Sequence, residues 1–345
     1  MMTSSSERSP EGPTVSALIP AYNAAETIER ALDSVYAQTY DNIIEVIVVD
    51  DGSEDNTAEI VREKHPDVTL IRQENRGVGA ARNCGLRHAR GDLVAFLDAD
   101  DEWTPVHVAD LVQVATPFPE AGLLSAGYAF RPDDSVETVF SHASAEPISG
   151  DFLAVSQHLW IAHTSATAVK RMTALEVGGY REDMPLSEDT EFFARVYLSS
   201  DFGFHPRVSS VYHGGSGESA VRRHADTPAS LMMFEALSRE LDREDLTDGK
   251  RNSLESFLAG LMVAHAWWCL LHSKRSEAIK ALRHPLVLAE PGYRLRRVGT
   301  LLGSLLPTQV LRAYARFRQS RWGVRRRVVS QGFVRLLRRR RAADN

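Results

Sequence analysis

The chain has 345 residues, 43% of them hydrophobic and 25% charged, with a formal net charge of −6. That is the make-up of a soluble globular protein with ample core, enough for one large domain or two ordinary ones, and not of a disordered or fibrous chain. Its two cysteines, Cys84 and Cys269, lie far apart and form no metal-spacing motif, so they read as reduced thiols of a cytosolic protein.

In chain order, "MMTSSSERSPEGP" has no apolar core of the signal-peptide kind and reads as a disordered leader over 1–13. "TVSALIP" (14–20) is an apolar strand run ended by Pro20. "NAAETIERALDSVYAQ" follows as a helix, with Asn23 and Glu26 at capping-box spacing and Ile28, Leu32 and Val35 as a stripe. Next come a strand, "IIEVIVVDD" (43–51), a helix around "TAEIVREKH", a strand, "VTLIRQ" (68–73), and a helix, "VGAARNCGLRHA" (78–89). "LVAFLDADD" closes the series. Alternation at this spacing predicts right-handed βαβ units and a mainly parallel sheet, and continuous apolar strands suit a sheet covered on both faces. Between 105 and 150 the pattern weakens. A strand and short helix are expected in 163–180, a helix in 186–199 capped by Ser187, and a strand in 203–213. Beyond about 222 the pattern turns helical. "FLAGLMVAHAWWCLL" (257–271) is short for a membrane span and reads as a buried helix.

In a parallel sheet ligands bind beyond the carboxyl ends of the strands. That rule gathers "PAYN", "DDGSEDN", "ENRG" and "DADD" on one edge. Asp98 and Asp100, two apart on extended backbone, face the same side, and two oxygen donors at a strand end suit Mg²⁺ or Mn²⁺. Alone, such a pair is equally an acidic turn capping a strand. Asp50 and Asp51 close the second strand, where a carboxylate can accept from a nucleobase N–H or ribose hydroxyls, although Asp-Gly is also a common turn. "RGVGAARN" (76–83) fails as a dinucleotide fingerprint: Arg82 replaces the third Gly, and the stretch follows the third strand rather than the first.

"ALIPAYNAAETIERALDSVYAQTY", "VIVVDDGSEDNT", "NRGVGAARNCGLRHARGDLVAFLDADD" and "SEDTEFFAR", in that order, resemble family 2 glycosyltransferases, the inverting group with the GT-A nucleotide-sugar fold. The match covers about residues 14–220. The resemblance implies an α/β GT-A catalytic domain over 14–222; the helical pattern and the arginine run beyond it mark out a helical domain over 223–290 and an Arg-rich amphipathic segment over 291–345. It implies that Pro20 and Tyr22 line the nucleobase, that Asp51 (or Asp50) receives its N–H, and that Arg82 lies near base and phosphates. It places Asp98 at the ribose, Asp100 on the metal, Asp189 as catalytic base and Glu188 beside it at the acceptor. His213 in "VYHGGSGES" stands where relatives carry a metal or diphosphate ligand, with a spacing that departs from theirs. Gly214, Gly215 and Gly217 suit a mobile lid. The implied activity is transfer of a sugar from a nucleotide-diphosphate donor, with UDP favoured, to a saccharide or lipid-linked acceptor. Its rivals are a sugar-phosphate nucleotidyltransferase, whose Gly-rich triphosphate loop "PAYN" does not supply, and a non-catalytic nucleotide-sugar-binding protein.

From Pro291 to Asn345 there are fifteen Arg, no Lys and one acid, Asp344. Val310, Tyr314 and Phe317 can share one helical face, and Leu336 with Leu337 abuts four Arg. Such a segment fits an anionic membrane surface, which would make a cytoplasmic protein peripheral to the membrane, and it equally fits the acidic catalytic body of the protein itself or a solvated face; no nucleic-acid recognition module is visible.

Overall fold

The computed structural model describes residues 12–132, 138–141, 144–156, 162–214, 224 and 226–311. Most of the expected leader, Gly215 and Gly217 of the lid, and Tyr314, Phe317, Leu336 and Leu337 of the basic segment lie outside those residues.

The first half follows the expected alternation: β1 (Val15–Ala21), α1 (Ile28–Tyr36), β2 (Ile43–Asp50), α2 (Thr57–Lys64), β3 (Thr69–Arg72), α3 (Val78–His88) and β4 (Leu93–Phe96). Then come β5 (Glu102–Trp103), α4 (His107–Ala115), β6 (Ala121–Pro132), β7 (Thr138–Phe140), β8 (Ile148–Gly150), α5 (Phe152–Ser156), β9 (Thr167–Lys170), α6 (Arg171–Glu176), α7 (Glu188–Ser199) and β10 (Asp201–Gly214). Among the described residues these strands form one sheet in the order β3-β2-β1-β4-β9-β6-β10-β5, with β7 beside β6 and β8 beside β10.

Strands β3, β2, β1 and β4 are parallel; β9 is antiparallel to both β4 and β6, and β10 is parallel to β6. This register collects the site. The carboxyl ends of β1, β2, β4 and β10, the start of β9 and the amino end of α7 all meet at one edge of the sheet. The chain leaves β1 toward β2 and β3 on one side and later returns to β4 on the other. The resulting crevice is where sheets of this kind bind ligands.

Two apolar layers cover the sheet. On one face Ile28, Leu32, Val61, Val108 and Leu111 pack on Ile19, Val48 and Ala95. On the other, Phe96, Phe192, Phe193 and Leu18 form a second cluster, joined by Leu254, Phe257 and Leu258. Those last three belong to the helix Asp248–Leu271, so the helical region shares the core of the sheet. At 24 residues this helix is longer than its apolar run and, by length and composition alone, could cross a membrane. Its buried side instead fills this cluster and another around Ala266, Cys269 and Leu270.

Two expected caps are not formed. Helix α1 starts at Ile28, after Thr27, and Asn23 (φ 49°) instead accepts from Glu54 N at 2.9 Å. Asn23 thus ties the end of β1 to the loop after β2. Ser187 occupies the residue before α7, but in the left-handed region (φ 62°) and with no side-chain cap. A non-glycine residue there is strained, a condition that clusters at functional sites.

Candidate active site

The nucleotide side is built from the loops after β1 and β2. Pro20 is buried near the end of β1, and Tyr22 just past it is 41% exposed. Asp50 is buried; its Oδ1 accepts from Ser53 N at 2.9 Å and its Oδ2 lies 3.1 Å from Arg72 Nε. Asp51 Oδ1 accepts from Gln73 Nε2 (2.7 Å) and Arg76 N (3.0 Å), and Oδ2 accepts from Gly77 N (2.8 Å). Three of its roughly four acceptor positions are therefore spent holding the start of α3 against β2. Gly52 (φ 78°) allows the loop to close: a Cβ there would lie 2.8 Å from Asn75 N.

The acids after β4 lie deeper. Asp101 is fully buried; Oδ2 accepts from the Ser165 hydroxyl and Oδ1 from His213 N at 3.0 Å. His163 Nδ1 lies 3.7 Å from Asp101 Oδ2, and the imidazole stacks on Tyr212 at 4.2 Å. Asp98, Asp101 and His163 each present one ligand atom, all within 4.8 Å of one another. Burial raises the Asp101 pKa well above the usual carboxylate range, and the charges of Asp98 and Asp100 raise it further. Asp100 keeps contact with solvent, yet desolvation and then Asp98 push its pKa to about 6. Burial lowers the His163 pKa against the pull of Asp98 and Asp189, so its imidazole is neutral, the form that binds metals. Acids that repel each other beside a neutral imidazole make a donor set suited to a divalent cation.

Asp100 and His213 stand outside that triple. The Asp100 carbonyl accepts from the Arg30 guanidinium, and His213 Nε2 lies 3.2 Å from Glu102 Oε1. His213 reaches the site through its backbone N–H instead, on Asp101.

Glu188 and Asp189 open α7 at the same edge. Asp189 Oδ1 accepts from Thr190 N at 2.6 Å, and its Oδ2 accepts from Thr164 Oγ1 at 3.4 Å. Glu188 has its pKa raised by burial and by Asp189, against the pull of Arg82. Buried Arg82 joins the two acid groups: Nη2 donates to Asp98 Oδ1 and Nη1 to Glu188 Oε1, each at 2.8 Å. Burial opposes the Arg82 charge, but Asp98, Tyr180 and Glu188 outweigh it and raise its pKa. Its guanidinium carbon sits 5.3 Å from the centre of the Tyr180 ring. Arg82 Nε and the Tyr180 hydroxyl are buried with no hydrogen-bond partner among the described residues.

The sheet edge thus brings together Pro20, Tyr22, Asp50, Asp51, Arg82, Asp98, Asp100, Glu188, Asp189 and His213. Sequence reasoning assigned no role to Asp101, His163, Ser165, Arg30 or Tyr180. Asp101 stood in plain view beside Asp98 and Asp100. His163 had only its place just before a strand as a signal.

Residues 16–172 match the sequence profile described as Glycosyl transferase family 2. A Nostoc sp. protein described as an uncharacterized glycosyltransferase is 44% identical over 29% of this chain, a stretch that spans only 32% of that relative. The putative glycosyltransferase EpsH of Bacillus subtilis is 28% identical over 84% of this chain and 88% of its own length. Among solved structures, S. aureus TarS 1–349 aligns with a TM-score of 0.60 at 16% identity, covering 88% of this chain and 91% of that one. Its fold is therefore shared; the same fragment is also known in complex with UDP-GlcNAc. The mannosyltransferase PcManGT from Pyrobaculum calidifontis, in complex with GDP-Man and Mn²⁺, aligns at 0.55 and 25% identity, covering 88% and 86%. With a GT-A sheet and these acids at its carboxyl edge, the chain belongs to glycosyltransferase family 2.

Proposed function

We propose that this glycosyltransferase moves a sugar, with inversion, from a UDP-linked donor to a hydroxyl of a saccharide or lipid-linked acceptor, in the assembly of a surface polysaccharide or glycoconjugate. One observation carries the reading: a cation-competent cluster of two acids and a histidine and the acids that open α7 meet at one buried guanidinium, whose two Nη atoms bond Asp98 and Glu188.

The exposed Tyr22 ring stacks on the base beside Pro20, and Asp51 offers the base N–H its remaining lone pair, with Asp50 as the alternative acceptor. Asp98 takes the ribose edge of the donor. A divalent cation, Mg²⁺ or Mn²⁺, held by Asp98, Asp101 and His163 would neutralise the departing diphosphate. Asp100 is a further oxygen donor, and His213 competes with His163 for the nitrogen position. Asp189 accepts the acceptor hydroxyl proton as that oxygen attacks the anomeric carbon on the face opposite the leaving group. Its carboxylate is aimed by Thr190 and Thr164. Glu188, held by Arg82, orients the acceptor, and Arg82 keeps the two halves of the site in register.

A thermal-shift screen of UDP- and GDP-sugars with and without Mn²⁺ tests the donor assignment, because a bound donor stabilises the folded state. A UDP-sugar with Mn²⁺ is expected to raise the melting temperature. Stabilisation by GDP-sugars alone would overturn the nucleotide assignment, and stabilisation by neither would overturn the donor site.

A further inference from the structure

The helix Arg294–Gly303 packs on the core by one side and leaves apolar side chains in solvent on the other. Inward, Thr300 and Gly303 are buried and Leu301 packs on the cluster of Cys269, Leu270 and Leu311; a Cβ at Gly303 would lie 3.2 Å from Trp267. That side accounts for how the helix is held. Outward, Val298 is 52% exposed, Leu302 60% and Leu305 76%, with Leu306 and Val310 exposed beside them. Val298 and Leu302 follow one another at i and i+4 on the helix, the spacing of a face that is normally buried, and Leu305 and Leu306 stand in the turn directly after its end. Scattered exposed leucines need no explanation, but five large apolar side chains exposed within thirteen residues mark an interaction surface.

Its rim is cationic. Arg294 and Arg296 are exposed at the start of the same helix, and the Arg275 guanidinium donates to Leu306 O at 2.6 Å, fixing the turn that presents Leu305 and Leu306. No acid occurs from Pro291 to Ala343, and twelve further arginines follow between 312 and 345, interleaved with Leu, Val, Phe and Trp.

Each half of this pattern excludes a partner. A second copy docking through the same face would set arginine against arginine. A nucleic acid would use the arginines and leave the bare leucines in water. A lipid surface uses both: the apolar side chains enter the acyl boundary while the guanidinium groups engage headgroup phosphates.

We propose that the Val298–Val310 face docks the protein on an anionic lipid surface. This goes beyond the transferase reading and does not rest on it. The test is co-sedimentation of the full chain with phosphatidylcholine vesicles, with and without phosphatidylglycerol. Binding is expected only to the anionic vesicles, and to weaken as salt is raised. The triple variant Val298→Ser, Leu302→Ser, Leu305→Ser should lose about 30-fold or more in partitioning. Arg294→Glu with Arg296→Glu should lose at least about 10-fold. All five side chains are exposed, Arg296 lying over the Tyr293 ring from outside, so both variants should melt close to the parent and release nucleotide from donor at the parental rate. Absence of vesicle binding, equal binding to neutral vesicles, or undiminished binding by the serine variant would overturn the proposal. So would a lipid-free dimer abolished by the serine substitutions, or RNA binding that the serine variant retains while neither chain binds vesicles.

Discussion

Replacing Arg82 by Met keeps an unbranched stem and removes the guanidinium and its charge. In the native protein that charge is buried and divided between Asp98 and Glu188, each 2.8 Å away. Removing one partner of a buried pair leaves the others uncompensated, at about 3–5 kcal/mol where both are fully enclosed. The Asp98 side chain is 25% exposed and Glu188 only 12%, so the cost falls mainly on Glu188 and toward the lower figure. For a chain of this size about 3 kcal/mol lowers the melting temperature by roughly 4 °C.

The pH dependence supplies a second, sharper readout. Glu188 already has a raised pKa, and without Arg82 it rises further. A carboxyl with a raised folded-state pKa is tolerated while protonated, and destabilises progressively as pH climbs from its unfolded value through its folded one. Arg82→Met should therefore differ least from the parent in mild acid and most at neutral pH. Urea denaturation of both proteins at the two pH values measures this. A variant within about 0.5 kcal/mol of the parent at neutral pH, or a deficit that does not change with pH, would refute the bridge.

The metal triple and the pH response make two further predictions. His163→Ala should weaken Mn²⁺-dependent thermal stabilisation by about 10-fold or more, and His213→Ala by clearly less; the reverse order, measured by titration, would return the nitrogen position to His213. Mn²⁺ affinity should rise as pH is raised through about 6, because Asp100 titrates there and burial holds Asp101 well above the usual carboxylate range, and both must shed protons as charge gathers on the cation. Isothermal titration at several pH values checks the sign, and a flat profile would contradict it.

The strands and helices from Val15 to Phe96 are legible because β1, β2 and β4 are largely apolar runs and the helices between them bury apolar positions at helical spacing. Strand β6 is not: "AGLLSAGYAFRP" carries two glycines, and its pairing with β10 shifts register between His205 and Val208. Those glycines answer to neighbours far away in sequence, Gly122 to Ser200 and Gly127 to Arg207, so no local pattern announces them. The site divides the same way. Asp98 and Glu188 show in their motifs, whereas the buried ties of Asp101 to Ser165 and His213 span more than sixty residues. Asn23 misleads for a related reason: its side chain is spent on Glu54 across the sheet edge, a bond that competes with capping. The clustered acids prove to lie between two arginines, Arg82 on Asp98 and Arg30 on the Asp100 carbonyl, neither of which the acidic motif itself announces.

The central claim is that one carboxylate, at the start of α7, carries the acceptor proton while the donor is held elsewhere. Asp189→Asn keeps the shape and the contact with Thr164 but cannot take a proton. Single-turnover transfer, measured beside UDP and Mn²⁺ binding on the same sample, tests it. The account predicts binding within about twofold of the parent and transfer reduced by about 100-fold or more; transfer at the parental rate would contradict it.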